Sequence, residues 1–327
     1  MTALTLLAGL LALVPAAGAL FTAAYARRVA RRYPPEGAFL DVDGLRVHYL
    51  DAGPRDAEGA RTVVLLHGAS SNLAESMLGM GKALLERGYR VVAFDRPGHG
   101  WTGRRRGGRM GRPDRQAAVL AAALRRLEVR GALIVGHSWS GSVAPLLALD
   151  HGDVAGALLV LAGVTHPWPG GRVAWYNHAA ASWAGWLLTR TVVTPLGLAL
   201  FPSAAARTFA PQPVPPGFAE RARIPLLFRP VTFQANAEDV AALFEAVSRQ
   251  SSRYSEIRIP VTVLGGDADE IVWTDLHSRS FARDVPGARL VVLPDVGHMP
   301  QYARPDLVIA EIEALAARAG RAAGRPG

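Results

Sequence analysis

The chain has 327 residues, half of them hydrophobic, no cysteine, and a formal charge of +9 at neutral pH. That length suits one domain with a large core plus extensions rather than two independent enzymes, and without cysteine there are no disulfides, which fits either redox compartment. Lys82 is the only lysine, so the charge is carried by arginines in loops and tails. These attract anionic lipid headgroups. No nucleic-acid motif accompanies them, so nucleic acid is not an expected partner.

Taken in chain order, Leu4 to Ala26 carries no charged side chain and is long enough to cross a bilayer as a helix. Arg27, Arg28, Arg31 and Arg32 follow at once. Residues 1–32 therefore read as an uncleaved membrane anchor with a basic flank, and the positive-inside tendency places the following domain on the cytoplasmic face. The alternative is an exported protein cleaved near Ala17-Gly18-Ala19 or Ala24-Tyr25-Ala26.

Beyond the tail, RTVVLLHG from Arg61, RVVAFDRPGHG from Arg90, and Ala132 to Gly136 read as buried strands. Helical periods fall between them, from about Leu73 to Arg87 and from Pro113 to Leu127, with Pro113 suited to a helix start. Strands alternating with helices predict a parallel sheet covered on both faces. The third strand runs into Gly136-His137-Ser138-Trp139-Ser140-Gly141. A serine in a sharp strand-to-helix turn is strained and exposed, and the next backbone N–H points to where an oxyanion would form. Gly136 obeys the G-x-S-x-G pattern, but Ser140 stands where its second glycine belongs.

Further on, Leu158 to Val164 is strand-like and exits into Thr165-His166-Pro167, and PVTVLGG from Pro260 empties into Asp267-Ala268-Asp269-Glu270-Ile271-Val272. The last strand, Leu290 to Leu293, precedes Gly297-His298-Met299-Pro300. Ser, Asp and His in that order, each past a strand end, follow the chain order of α/β-hydrolases. The sequence resembles that superfamily on His67-Gly68, Asp95-Arg96-Pro97-Gly98-His99-Gly100, Gly136-His137-Ser138-Trp139 and Gly297-His298-Met299-Pro300, from about Gly37 to Ala317. It looks like the single-domain serine hydrolases with a helical cap, which include esterases, lipases, C–C hydrolases and proline iminopeptidases. Ser138 argues against epoxide hydrolases and haloalkane dehalogenases, which use aspartate.

The resemblance implies an α/β-hydrolase fold: a mostly parallel sheet with helices on both faces, its core in residues 37–164 and 258–319. A cap insertion (165–257) follows the sixth core strand, and 320–327 form a disordered tail. It implies a triad of Ser138, His298 and Asp269, the acid three residues after the glycine closing its strand, with Asp267 as runner-up. His298 would take the Ser138 proton as a carbonyl is attacked and later return it, while Asp269 fixes the imidazole. The backbone N–H groups of Ala69 and Trp139 would hold the oxyanion.

Other histidines read as structural: His67 and His99 bond backbone in glycine turns, and His137 faces a neighbouring strand. No H-E-x-x-H motif or metal-ligand spacing occurs, and Gly98-His99-Gly100 lacks a nucleotide-binding context, so no cofactor is expected. The cap carries Trp168, Trp175, Trp183 and Trp186, breaks at Pro211, Pro213, Pro215 and Pro216, and turns helical again from Ala237 to Val247, with Asn236 placed to cap it. The tryptophans are expected to line a substrate pocket for an ester with an apolar, lipid-like acyl or alkyl part. Thioesters, lactones and N-terminal peptide bonds are alternatives, as is a non-catalytic binding protein on the same scaffold.

Overall fold

The computed structural model describes residues 3–56, 61–105 and 109–323, with side chains from residue 13 to residue 322. A long helix, α1 (Ala3–Arg32), leads into a hairpin of β1 (Ala38–Val42) and β2 (Leu45–Ala52). The sequence marks this hairpin with Asp43-Gly44 between alternating segments, and both residues take positive φ, 50° and 80°, as a two-residue turn requires.

The core then runs β3 (Thr62–Leu66), α2 (Leu73–Ser76), α3 (Lys82–Glu86), β4 (Arg90–Phe94), α4 (Pro113–Arg126), β5 (Ala132–His137), α5 (Ala144–Asp150) and β6 (Ala155–Leu161). The cap contributes α6 (Trp175–Ala181), α7 (Gly185–Thr191), α8 (Val193–Phe209), α9 (Phe218–Arg221) and α10 (Pro230–Gln250). β7 (Val261–Gly266), α11 (Ser278–Asp284), β8 (Arg289–Leu293), α12 (Pro300–Ala303) and α13 (Pro305–Ala323) complete the chain.

The eight strands form one sheet in the order β1-β2-β4-β3-β5-β6-β7-β8, antiparallel at β1–β2 and β2–β4 and parallel elsewhere. Its central strands are buried along their whole length and mostly apolar, because both faces are covered. One face packs with Leu120, Leu124, Leu147 and Phe281, the other with Leu84, Ile309, Ile312 and Leu315. Register sets the site: Leu66 pairs with Gly136, His137 with Leu161, and Gly266 with Leu293, so the exits of β3, β5, β7 and β8 open on one edge of the sheet.

Three local expectations change. The helix predicted from Leu73 to Arg87 is interrupted by a π turn at Met77–Gly81, where a side chain on Gly81 would collide with Met77. The strand predicted from Leu158 lies three residues earlier, because the chain turns at Ala162 (φ 44°) and Gly163 packs against Gly141. Asn236 does not cap a helix; α10 starts at Pro230, whose preset φ suits the first turn, and Asn236 sits inside it.

The expected span at Leu4–Ala26 begins among residues whose side chains lie outside the described set. Among the described residues no single helix is long and apolar enough to cross a membrane. The visible part of α1 packs on the cap: Gly18 abuts the Thr191 carbonyl, Thr22 and Val29 are buried, and the Tyr25 hydroxyl donates to the Pro225 carbonyl at 3.1 Å. The helix is thus docked rather than a free tether, because one of its faces carries small and polar residues that fit α7 and α8.

Candidate active site

At the end of β5, Ser138 has φ 53°, the left-handed conformation that a β-substituted residue adopts only when its surroundings impose it. Those surroundings are small. A side chain at Gly136 would lie 2.5 Å from the Ser140 carbonyl and 2.6 Å from Ala144 Cβ, one at Gly68 2.9 Å from Ser138 Cβ, and one at Gly141 2.5 Å from Gly163 Cα. The delayed glycine therefore has its own contact. Ser140, the departure from the pattern, donates its hydroxyl to the His67 carbonyl at 2.5 Å, tying the elbow to the exit of β3.

The structure brings Ser138, His298 and Asp269 into one line. His298 Nε2 lies 2.8 Å from Ser138 Oγ and His298 Nδ1 lies 2.8 Å from Asp269 Oδ2, with all three side chains buried. Asp269 Oδ1 accepts the backbone N–H groups of Ile271 and Val272, both at 2.8 Å, so the carboxylate is held by both oxygens and cannot rotate freely. Asp267 is exposed and accepts the Asp295 N–H at 2.7 Å, bracing the β7 and β8 exits against each other.

The turn after β3 is held from behind. His67 Nδ1 and Arg96 Nη2 lie 2.8 and 3.0 Å from the Gly68 carbonyl, and Arg96 Nε donates to the His67 carbonyl at 3.1 Å. The Arg96 N–H donates to His67 Nε2 at 3.0 Å, which fixes the proton of a neutral ring on Nδ1. With the Gly68 carbonyl drawn toward Arg96, the planar trans peptide turns the Ala69 N–H to the opposite side. The next N–H, that of Ser70, donates to Asn236 Oδ1 of the cap at 2.6 Å.

Burial lowers the basicity of the surrounding imidazoles. His67 and His99 are pushed well below the usual histidine range by burial first and by the Arg96 charge second. His137 falls to about 3, by burial and then by His298, and its Nε2 lies 3.2 Å from the His298 carbonyl. It thus faces the exit of β8, next to the triad, rather than a neighbouring strand. His277 is lowered to about 4 by burial, and its Nδ1 accepts the N–H groups of Thr165 and His166, each at 3.3 Å.

A buried ionic cluster was not visible in the sequence. Arg96, fully buried, pairs with Asp239 at 2.6 Å and bonds Gln116 at 2.8 Å. Asp239 belongs to the cap helix α10 and also takes Arg104 at 2.8 Å. The Arg96 guanidinium stacks 4.1 Å from the Trp139 ring, whose Nε1 donates to the Asp239 carbonyl at 3.1 Å. Asp95-Arg96 in its glycine turn was the only signal, and the partner lies 143 residues away. A second buried carboxyl, Glu75, is raised by burial and accepts Gln301 Nε2 at 3.1 Å.

Three of the four tryptophans expected to line a substrate pocket are exposed. Trp175, Trp183 and Trp186 are 78, 94 and 54 % exposed, and Trp168 packs edge-on to Phe244 at 5.1 Å with its Nε1 on the Arg172 carbonyl. α6 and α7 turn Trp175 and Trp186 outward, Trp183 is exposed on the link between them, and Trp168 also lies edge-on to His277 at 6.4 Å. Next to His298, Met299 is buried in an apolar cluster with Phe209 and Phe218, against which Leu78 and Tyr302 pack. A small cleft there is lined by Leu78, Phe218, Gln301 and Tyr302. Among the described residues no cluster of ligating side chains suits a metal ion.

Comparisons agree with this architecture. A non-heme chloroperoxidase of Streptomyces lividans is 38% identical over 131 residues, which is 38% of this chain and 44% of that one. A 2-hydroxy-6-oxononadienedioate/2-hydroxy-6-oxononatrienedioate hydrolase of Paraburkholderia phymatum is 34% identical over 129 residues, 37% of this chain and 41% of the relative. The matches span less than half the length of these curated relatives. Among solved structures, the enol-lactonase from Burkholderia xenovorans superposes with a TM-score of 0.69 at 21% identity, over 85% of this chain and 99% of that one. An esterase from Exiguobacterium antarcticum gives 0.66 at 19%, over 86% and 99%. The alpha/beta hydrolase family matches residues 63–311. On that match and on its eight-stranded sheet, the chain belongs to the alpha/beta hydrolase family.

Proposed function

We propose that the protein is a serine hydrolase that cleaves carboxylic esters through an acyl-enzyme intermediate. The observation that carries this reading is the Ser138–His298–Asp269 line, with two 2.8 Å contacts and the serine in a strained turn. In the proposed cycle Ser138 Oγ attacks the ester carbonyl as His298 Nε2 takes its proton, and the Ala69 and Trp139 N–H groups stabilise the oxyanion. Collapse expels the alcohol, protonated by His298. Water activated by the same imidazole then releases the acid. Asp269 holds Nδ1–H and favours the imidazolium. Thioester cleavage would use the same steps. Proline-iminopeptidase-like cleavage ranks lower because acidic cap residues for a substrate amine are few, and Asp239 among them is spent on Arg96 and Arg104.

An ester with an apolar acyl or alkyl part is the favoured substrate, a reading supported by the cleft that Leu78, Phe218 and Tyr302 line next to Met299 rather than by the cap tryptophans. Attachment to the cytoplasmic face of a membrane through the N-terminal segment is part of the proposal, supported by the uncharged run and its four arginines. The decisive experiment is turnover of p-nitrophenyl esters of increasing acyl length by the full chain and by Ser138→Ala, with fluorophosphonate labelling. Turnover and labelling that both vanish in the variant support the reading; no turnover and no labelling of the wild type would leave a non-catalytic binding protein.

A further inference from the structure

The large apolar side chains that remain exposed are not scattered over the described chain. All but Val231, Ile271, Trp273 and Leu307 lie on α1, on the cap helices α6 to α8, or on the links between those helices. These elements pack side by side, α1 against α7 and α8, and α7 against α6. Leu20 and Phe21 on α1, Trp175 and Trp183 at α6 and its exit, and Trp186 and Leu196 on α7 and α8 therefore belong to one subassembly. Monomeric proteins rarely leave so much apolar area in one place without a partner.

Three further observations say what that partner is. From Val154 to Ala219 there is no aspartate or glutamate, and none before Glu36, while Arg27, Arg28, Arg31, Arg32, Arg172, Arg190 and Arg207 lie in those same segments. The subassembly is apolar and basic with no negative charge, which matches an anionic lipid surface. By length and composition α7 and α8 together resemble a broken span or a re-entrant loop, bent by 69° at their junction. Exposed tryptophans with an arginine beside them, as Arg190 lies 4.5 Å from the Trp186 ring, are the residues that settle at the headgroup level.

We infer that the cap, through α6 to α8 together with α1, docks in the plane of an anionic bilayer without crossing it. This goes beyond attachment by the N-terminal segment and shares only α1 with it. It does not depend on ester chemistry.

Because the chain has no cysteine, single-cysteine variants of the full chain can carry an environment-sensitive nitrobenzoxadiazole label. Trp183→Cys and Leu196→Cys report the cap, Leu20→Cys reports α1, and Asp275→Cys, whose native side chain is 89 % exposed on the core, is the control. With phosphatidylcholine/phosphatidylglycerol vesicles, the labels at 183 and 196 should brighten several-fold, shift to the blue and be quenched by spin-labelled acyl chains, while the label at 275 stays in water. Each of Arg27→Gln and Arg28→Gln should weaken partitioning to these vesicles about fivefold.

Labels at 183 and 196 that stay water-like in vesicle-bound protein, while position 20 enters lipid, would overturn the inference in favour of α1 alone. Shielding of both cap labels without vesicles, with a dimeric mass by light scattering, would overturn it in favour of a second copy. Hydrolysis of p-nitrophenyl acetate by the same variants reports the ester reading separately.

Discussion

Ser140 Oγ donates to the His67 carbonyl at 2.5 Å, joining the nucleophile turn to the turn that carries Ala69. The bond makes the missing glycine of the elbow a positive feature. In Ser140→Ala the His67 carbonyl keeps Arg96 Nε, so the loss should be about 1 kcal/mol of unfolding free energy, read from urea midpoints. Ser140→Gly, which restores the glycine pattern, should be no more stable than Ser140→Ala.

The two carboxylates after β7 should separate cleanly in turnover. Asp269→Asn changes the group that holds His298 Nδ1 and should lower kcat about 10⁴-fold if the line is catalytic. Asp267→Asn, which faces only the Asp295 N–H, should stay within a few-fold of wild type. Equal losses would mean that the acid had been misassigned.

Asp239 ties the cap to the core through Arg96 and Arg104. Asp239→Ala leaves the fully buried Arg96 without its counter-ion and should destabilise the protein by about 3–5 kcal/mol. Replacing both, as Arg96→Met with Asp239→Leu, should recover part of that loss, because no uncompensated charge remains. Urea unfolding of the wild type, Arg96→Met, Asp239→Leu and the double variant forms a double-mutant cycle that measures the coupling.

Stability should fall with acid as the buried imidazoles meet protons. His137 and His277, lowered by burial to about 3 and about 4 from an ordinary 6.5, are neutral in the fold but take up protons readily when unfolded. Their contribution is complete above pH 6.5 and is lost progressively as pH drops toward 4, with a slope of up to about 1.4 kcal/mol per pH unit for each ring. Urea midpoints at pH 7, 6 and 5 should decline steadily, and His277→Gln should flatten the decline. A flat wild-type profile would contradict the burial of these rings as neutral groups.

Much of this was legible locally. The apolar β-branched runs at Val63 to Leu66 and Leu133 to Val135 could only be strands buried on both faces, and the strained turn at Ser138 follows from small residues at Gly136 and Gly141. The Asp43-Gly44 hairpin is equally legible, a turn pair between two alternating segments. Three short motifs place Ser138, Asp269 and His298 at strand exits, because in a parallel sheet every such exit opens on the same edge.

What no local pattern carries is which face of a helix meets which neighbour. The sequence does not show that Trp175 on α6, Trp186 on α7 and Trp183 on the link between them are exposed. The partner of Arg96 is set by how α10 crosses the core, and the packing of α1 by the fit of Gly18 against Thr191. Sequence determined the strands, the turns and the order of the reactive groups, since these depend on backbone conformation within a few residues. Tertiary structure alone decided burial, charge pairing and the exposed apolar face, since those depend on contacts between segments more than a hundred residues apart.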